Sequence, residues 1–127
     1  MAGKELTLEY LQEIIQAFNT RDADKIISYF AEDCIFYASR GPDVDGQAIA
    51  GKETLHRYFA ERFERIPDMH WESVYDHVYD GDRAVSVWIV TGTSADGEKL
   101  EHRGCDLWEF RDGLIWRKDT YWKWQRN

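Results

Sequence analysis

Four long strand-like runs follow one another in the second half of this chain, with no helical segment between them. Each is rich in Val, Trp and Tyr, which favour strands. The runs are residues 69–75, 84–93, 100–110 and 114–124. They are separated by turn-forming tripeptides: Asp80-Gly81-Asp82, Ala95-Asp96-Gly97 and Arg111-Asp112-Gly113. Consecutive strands with short turns pair antiparallel, which excludes an alternating parallel sheet.

The first half has the apolar spacing of helices instead. After Thr7, a suitable N-cap, apolar residues recur at helical spacing as far as Phe18. Asp22 can cap a second, shorter helix, which we expect to end near Glu32 and Asp33.

A third helix is predicted from Gly51 to Ile66, where Pro67 stops it. The β-branched and aromatic stretch 34–37 favours a short strand. Residues 39–50 contain several turn formers and are predicted to be a mobile loop.

Together these elements predict an α+β fold in which three N-terminal helices pack on a highly curved antiparallel sheet. Long twisted strands curl, so the sheet should form a cone with an internal cavity. The 127 residues suit a single domain, 1–127.

The amino-acid composition limits the classes of ligand and partner to be expected. Aromatic residues make up 15% of the chain, an excess that indicates a lined cavity, a subunit interface, or both. The net charge of −8 repels phosphate backbones and anionic membranes, so neither nucleic acid nor membrane is an expected partner. The polar start and the absence of a long apolar run predict a cytoplasmic protein.

The cysteines and histidines do not have the spacing of metal-binding motifs. Cys34 and Cys105 lie far apart without CxxC spacing, and His56, His70 and His77 form no HExxH or HxH motif. We therefore expect neither a metal nor a cofactor.

The order of elements resembles the nuclear transport factor 2-like superfamily, with its cystatin-like fold. The likeness is carried by three stretches: 17–33, with an Asn-x-x-Asp turn before an apolar helix and an acidic stop; Gly51-Lys52-Glu53-Thr54-Leu55; and 110–115 in the last hairpin. The nearest relatives that this resemblance implies are SnoaL-like polyketide cyclases and ketosteroid isomerase-related proteins. It implies a small-molecule site in the cone and leaves the reaction open.

Residue by residue, the resemblance is partial. Asp106-Leu107-Trp108-Glu109-Phe110 matches the stretch that carries an acid in ketosteroid isomerases. The general base and the oxyanion tyrosine of those enzymes fall at Ala38 and Ile14 here, and Thr120 stands where limonene epoxide hydrolases place their final Asp. The resemblance therefore implies neither a standard ketosteroid isomerase nor a limonene epoxide hydrolase.

Asp106 is the first candidate catalytic residue. Strand alternation puts Asp106 and His102 on the face that Trp108 and Phe110 mark as inward. A desolvated carboxylate suits acid/base work, and an imidazole titrates near neutral pH. The alternative interpretation is structural: Asp106 pairs with a neighbouring Lys, Arg or Tyr, and His102 is hydrogen-bonded in its strand.

The facing of the last strand depends on its turn. A three-residue turn at 111–113 pairs Leu114 with Phe110 and turns Trp116, Lys118, Thr120 and Trp122 inward. A two-residue turn pairs Ile115 with Phe110 and turns Asp119 and Tyr121 inward. In the second register Asp119 forms a carboxylate pair with Asp106, which makes it a further catalytic candidate.

The predicted substrate-binding residues are aromatic side chains and one lysine on inward faces, with core packing as the alternative role. They are Tyr37, Tyr58, Phe59, Trp88, Trp108, Lys118 and Trp122.

From these observations we expect a small enzyme that binds an apolar, oxygenated ligand and performs cofactor-independent acid/base chemistry such as isomerisation, cyclisation or dehydration. A non-catalytic binding or dimeric interaction module is the alternative. A homodimer is predicted because an open sheet leaves an apolar outer face uncovered.

Overall fold

The computed structural model describes residues 5–124. Its helices and strands are α1 Leu8–Asn19, α2 Ala23–Ile27, β1 Phe30–Tyr37, β2 Ala48–Ala50, α3 Lys52–Arg65, β3 His70–Tyr79, β4 Arg83–Thr93, β5 Lys99–Arg111 and β6 Leu114–Trp122. The predicted α+β class is confirmed: three helices pack on one sheet.

The first two helices begin at the predicted caps. The Thr7 hydroxyl accepts a hydrogen bond from the Tyr10 amide at 3.1 Å, and the Asp22 carboxylate accepts one from the Lys25 amide at 3.2 Å. Each cap satisfies an amide that has no partner within its helix.

Several boundaries differ from the prediction, among them the end of β3, which runs to Tyr79 instead of residue 75. α2 ends at Ile27, and β1 begins at Phe30 instead of Cys34, because Phe30 pairs with Ile115 and its buried ring packs against Phe18. The predicted loop contains the short strand β2, which pairs antiparallel with β1 and covers the edge that β1 would otherwise leave open.

The sheet is open and mixed, in the order β2-β1-β6-β5-β4-β3. Its four long strands form the predicted antiparallel meander. The antiparallel expectation fails at one pairing, where β1 lies parallel to β6. The chain reaches that position through α3 and the whole meander, and a long connection of this kind allows parallel strands.

The last hairpin combines parts of both predicted registers. The turn has two residues, with Arg111 paired to Leu114 and Phe110 to Ile115. A β-bulge follows, so Glu109 pairs with Arg117 and the remainder of β6 is shifted by one residue. Lys118 and Thr120 therefore face inward, as in the three-residue alternative, whereas Asp119, Tyr121 and Trp116 do not.

Aromatic side chains fill most of the space between helices and sheet. Phe18 of α1 is the centre of this packing, with edge-on ring contacts to Phe30, Phe59, Trp71 and Trp108 at centroid distances of 5.4–6.4 Å. The gaps left beside these rings include two small spaces of about 10 and 20 Å³. A space of roughly 10–15 Å³ holds one water molecule, so much of the aromatic excess forms the core itself.

Within residues 5–124, no helix combines the length and the apolar character needed to cross a membrane.

Candidate functional site

A buried polar cluster lies on the inner face of the sheet, centred on Asp106 of β5. Its Oδ1 accepts hydrogen bonds from Lys118 Nζ at 3.0 Å and from Thr120 Oγ1 at 2.5 Å. Its Oδ2 accepts one from Trp88 Nε1 at 2.9 Å. Lys118 Nζ also donates to Thr120 Oγ1 at 2.8 Å. Asp106, Lys118 and Thr120 are only 4–7% exposed, so the cluster is shielded from bulk water.

Strand pairing builds this cluster. Asp106 pairs with Thr120 across β5 and β6, and Lys118 lies two residues along the same face of β6. Trp88 of β4 pairs with Gly104, two residues before Asp106. A Cβ on Gly104 would lie 2.7 Å from two carbons of the Trp88 ring, so the missing side chain makes room for the indole that reaches Asp106.

Lys118 is the basic member of the cluster. Burial lowers the pKa of its amine below the ordinary value, and the nearby Arg62 lowers it further, while Asp106 acts in the opposite direction. The Nζ lies 4.4 Å from the centroid of the Phe36 ring, so aromatic faces surround the part of the amine that Asp106 does not contact. A buried amine of this kind suits proton transfer.

The cluster belongs to a polar row across four strands. Asp76, Ser86, Asp106 and Thr120 are paired in succession from β3 to β6, which puts them on one face. Trp108 Nε1 donates to Ser86 Oγ at 3.0 Å. Asp76 Oδ1 is buried without a hydrogen-bond partner among the described residues. The sequence interpretation missed Asp76 and Ser86, because only the pairing register places them beside Asp106.

Both small spaces are lined in part by residues of this cluster. The first is lined by Asp106 and Lys118 together with Trp88 and Trp108. The second is lined by Lys118 and by residues of α3 and β6 that include Tyr58, Phe59, Arg62, Thr120 and Trp122. Lys118 therefore faces both spaces. Tyr58, Arg62 and Trp122 are half-buried, which puts the solvent end of the second space beside these side chains.

Arg62 is a functional candidate that the sequence interpretation missed. It donates a short hydrogen bond to the Tyr58 hydroxyl one helical turn earlier, and its guanidinium carbon lies 5.9 Å from the Trp122 ring centroid. The Tyr58–Arg62 spacing on a helix was the available signal. It could not show that this side of α3 faces the second space.

Six of the seven predicted binding residues line one of the two spaces: Tyr58, Phe59, Trp88, Trp108, Lys118 and Trp122. Tyr37 lines neither of them. Its neighbour Phe36 is buried, whereas Tyr37 is half-buried and lies beside Arg117, with the guanidinium carbon 6.0 Å from its ring centroid.

His102 lies near the end of the sheet. Its Nδ1 is hydrogen-bonded to the Lys123 carbonyl at 2.9 Å, and its ring stacks on Trp122 at 5.2 Å. It is half-buried and lines neither internal space, although Trp122 connects it to the second one.

The register in which Asp119 pairs with Asp106 is wrong, because the bulge in β6 turns Asp119 toward the outer face. There its carboxylate accepts a hydrogen bond from the Tyr121 hydroxyl at 3.2 Å. Partial burial raises the pKa of Asp119 above its usual value. No group of three or more His, Cys, Asp or Glu side chains within residues 5–124 is arranged to hold a metal ion.

Three helices packed on an open mixed sheet define the class of this fold, and solved structures share the fold. A protein from Xanthomonas campestris pv. campestris assigned as a polyketide cyclase has a TM-score of 0.78 at 21% identity, covering 91% of this chain and 88% of its own. The epoxide hydrolase/cyclase-like enzyme SalBIII, tied to pyran ring formation in salinomycin, has a TM-score of 0.77 at 18% identity, with 91% and 88% covered.

A third structure is a hypothetical protein from Catenulispora acidiphila with a ketosteroid isomerase-like fold, in complex with trimethylamine. Its TM-score is 0.77 at 16% identity, covering 91% of this chain and 86% of its own. At these identities the likeness shows the fold. Comparison with curated proteins gives no match.

The amino-acid sequence also identifies the family. A SnoaL-like domain matches residues 11–118, which is most of the chain, and the protein therefore belongs to the SnoaL-like family. The predicted resemblance to the nuclear transport factor 2-like superfamily is confirmed.

Proposed function

We propose that this protein is a cofactor-independent acid/base enzyme of the isomerase, cyclase or dehydratase type, acting on an apolar, oxygenated small molecule between α3 and the sheet. The observation that carries the proposal is the buried Lys118 amine, held by Asp106 and Thr120 at 3.0 and 2.8 Å and facing aromatic walls. Water exclusion strengthens the electrostatic interactions in such a site.

Lys118 is assigned the proton-transfer step. In the fraction of molecules whose Lys118 has lost its proton, the neutral amine takes a proton from a carbon beside a carbonyl group: the C–H bond breaks, an N–H bond forms, and the electron pair moves onto the carbonyl oxygen. The resulting ammonium returns the proton to a different carbon in an isomerisation. In a ring closure the enolate attacks a second carbonyl, whose oxygen takes the proton. The lowered pKa of Lys118 increases the fraction of neutral amine available for the first step.

Asp106 is assigned a positioning and stabilising role beside Lys118, and its direct role in proton transfer stays a prediction. Its carboxylate lies next to the charge that forms when Lys118 takes a proton, and it stabilises that charge. Trp88 and Thr120 hold the carboxylate in place.

Ligand entry requires side-chain movement. Spaces of about 10 and 20 Å³ accommodate water but not a ligand with several carbon atoms. Trp122 and Arg62 are half-buried at the solvent end of the second space, and their displacement would open it toward Lys118. Two structural neighbours are described as a polyketide cyclase and a cyclase-like enzyme, which supports ring formation as one of the candidate reactions.

The alternative is a binding module without catalysis. One observation favours it: both Asp106 oxygens are engaged within the cluster by donors from Trp88, Lys118 and Thr120. A carboxylate engaged in this way serves to hold the cluster together, which is a structural role.

The experiment is a screen of enones, β-keto esters and epoxides, monitored by proton release or uptake and by binding. We expect wild type to convert at least one compound, and Lys118→Met to reduce turnover by roughly a hundredfold or more. The exposed Lys123→Met is the matched control and should retain full turnover. The double variant Lys118→Met/Asp106→Asn, whose site is neutral, replaces the single variant if that one does not fold.

Asp106→Asn separates the two carboxylate roles. A positioning role predicts a loss smaller than that of Lys118→Met and a changed pH profile, because the amine loses its counter-charge. If wild type binds these compounds and leaves all of them unchanged over hours, the binding module replaces the enzyme.

A further inference from the structure

The second internal space has an unusual charge balance. Two cationic side chains line it, Lys118 from the sheet and Arg62 from α3, and no carboxylate among residues 5–124 does so. Asp106 lines only the first space, and its hydrogen bonds already engage Lys118, Thr120 and Trp88. The positive charge of Lys118 is therefore balanced locally, while that of Arg62 is not.

Arg62 has no anionic partner of its own among the described residues. No carboxylate in that part of the chain lies within ion-pair distance of its guanidinium. Its neighbours are the hydroxyl and ring of Tyr58 and the ring of Trp122. What distinguishes Arg62 is its position beside the buried Lys118 on the second internal space.

Electrostatics decide what such a space accepts. A cationic ligand would be repelled by Arg62, and a neutral ligand that displaced water would leave Arg62 desolvated without an anionic partner. An anionic group solves both problems. Although the net charge of −8 opposes an anion at long range, salt screens that repulsion beyond about 8 Å, and contacts inside the space are screened far less.

We propose that the ligand of this site is an unsaturated or aromatic carboxylic acid whose carboxylate binds Arg62. A planar guanidinium matches a carboxylate in bidentate geometry, and the Tyr58 hydroxyl is placed to donate once Arg62 turns from it to the ligand. The rings of Trp122, Phe36 and Tyr58 provide flat walls for a conjugated body. A single arginine at this end suits a monovalent carboxylate better than a phosphate ester.

This assignment deepens the proposed function, because it orients the ligand with its carboxylate at Arg62 and its other end toward Lys118. The carboxylate contact itself is a binding interaction and needs no turnover. It can therefore be tested separately from catalysis.

The test uses trans-cinnamate, its methyl ester, cinnamamide and phenyl phosphate as probes, with calorimetry or tryptophan fluorescence as the readout. Wild type should bind cinnamate tightest. Arg62→Met should weaken cinnamate binding by roughly 10- to 100-fold and leave the ester unaffected, since one charged hydrogen-bonded contact is lost. Arg62→Lys keeps the positive charge but lacks the planar guanidinium. Its affinity for cinnamate should lie between those of wild type and Arg62→Met. The exposed Arg65→Met on the same helix is the matched control and should bind as wild type does.

The carboxylate assignment is overturned by any of three results: ester or amide binding as tight as cinnamate, equal weakening of acid and ester in Arg62→Met, or no saturable binding of cinnamate at millimolar concentration. Preferential binding of phenyl phosphate overturns it in favour of a phosphate ester. Acid binding through Arg62 without conversion of any compound contradicts the enzyme proposal alone. Conversion of neutral substrates without preference for acids contradicts the carboxylate assignment alone.

Discussion

Lys118 Nζ lies 3.0 Å from Oδ1 of Asp106, and both side chains are buried in the centre of the fold. A buried ion pair of this kind adds little net stability over an apolar pair, because desolvation offsets the attraction. Removal of one partner, however, leaves a buried charge without its counter-charge. The pair therefore constrains which substitutions the core tolerates.

Lys118→Met should destabilise the fold by about 3–5 kcal/mol, since it leaves the Asp106 carboxylate buried without its cation. The double variant Lys118→Met/Asp106→Asn should recover a large part of this loss. Urea unfolding of wild type, both single variants and the double variant measures the coupling. Additive losses in the double variant would contradict the pairing.

Trp88 and Trp108 allow a matched comparison, because both indoles are buried and donate to different acceptors. Trp88→Phe removes a donor to the Asp106 carboxylate, and Trp108→Phe removes a donor to the Ser86 hydroxyl. The hydrogen-bond loss should be about 1.5–3 kcal/mol for the charged acceptor and about 0.5–1.5 kcal/mol for the neutral one. Equal losses in the free energy of unfolding would show that the hydrogen bond to the Asp106 carboxylate is no stronger than the one to the Ser86 hydroxyl.

Gly104→Ala should be strongly destabilising, because a Cβ would lie 2.4 Å from the Tyr121 carbonyl oxygen and 2.7 Å from the Trp88 ring. Crowding of this kind costs typically about 1–3 kcal/mol. Gly81→Ala is the comparison, since that site is open and its cost comes from a φ of +75°. A thermal melt of Gly104→Ala that matches wild type would exclude the close packing described here.

Tyr29 should titrate late. Burial and its hydrogen bond to Glu13 raise the pKa of the phenol to about 12. A phenol with a raised folded-state pKa contributes stability that is fully present below pH 10.0, its ordinary pKa, and is lost as the pH rises toward 12. The tyrosinate absorbance of wild type minus that of Tyr29→Phe measures this. A difference titration with its midpoint at pH 10 would refute the prediction.

The homodimer predicted from the sequence stays a proposal, and we place its contact on the outer face of the sheet. Tyr75, Leu107 and Tyr121 are 56%, 38% and 53% exposed there, and together they form an apolar patch. We expect sedimentation to give twice the chain mass of 15.0 kDa, and Leu107→Glu, beside Asp119, to shift the species toward monomer. A wild-type monomer at micromolar concentration would contradict this arrangement.

Local signals in the sequence explain how much of the fold was predictable. The caps at Thr7 and Asp22, the period change after Pro67 and the glycine turns lie within a few residues of the structure they specify. The α2 end was misplaced because the β1 start at Phe30 depends on Ile115, a partner far along the chain. Long-range pairing of this kind leaves no local pattern.

For the candidate site, too, the features of a single strand were predictable and the pairing between strands was not. Strand alternation alone placed Asp106 inward among Trp108 and Phe110, because side chains alternate with a period of two within a strand. The partners of Asp106 required the register of a neighbouring strand. A single bulge after Ile115 decided that Lys118 faces the carboxylate and Asp119 does not.

The sequence by itself determined the longer helices and strands, the α+β class and the inward acid, because these depend on spacing along one segment. Only the tertiary structure decided which side chains meet: the Lys118–Asp106 pair, the Trp88 indole over Gly104, and Arg62 from α3 beside the same space. A one-residue shift in a strand exchanges its two faces, and no local preference along the chain records that shift.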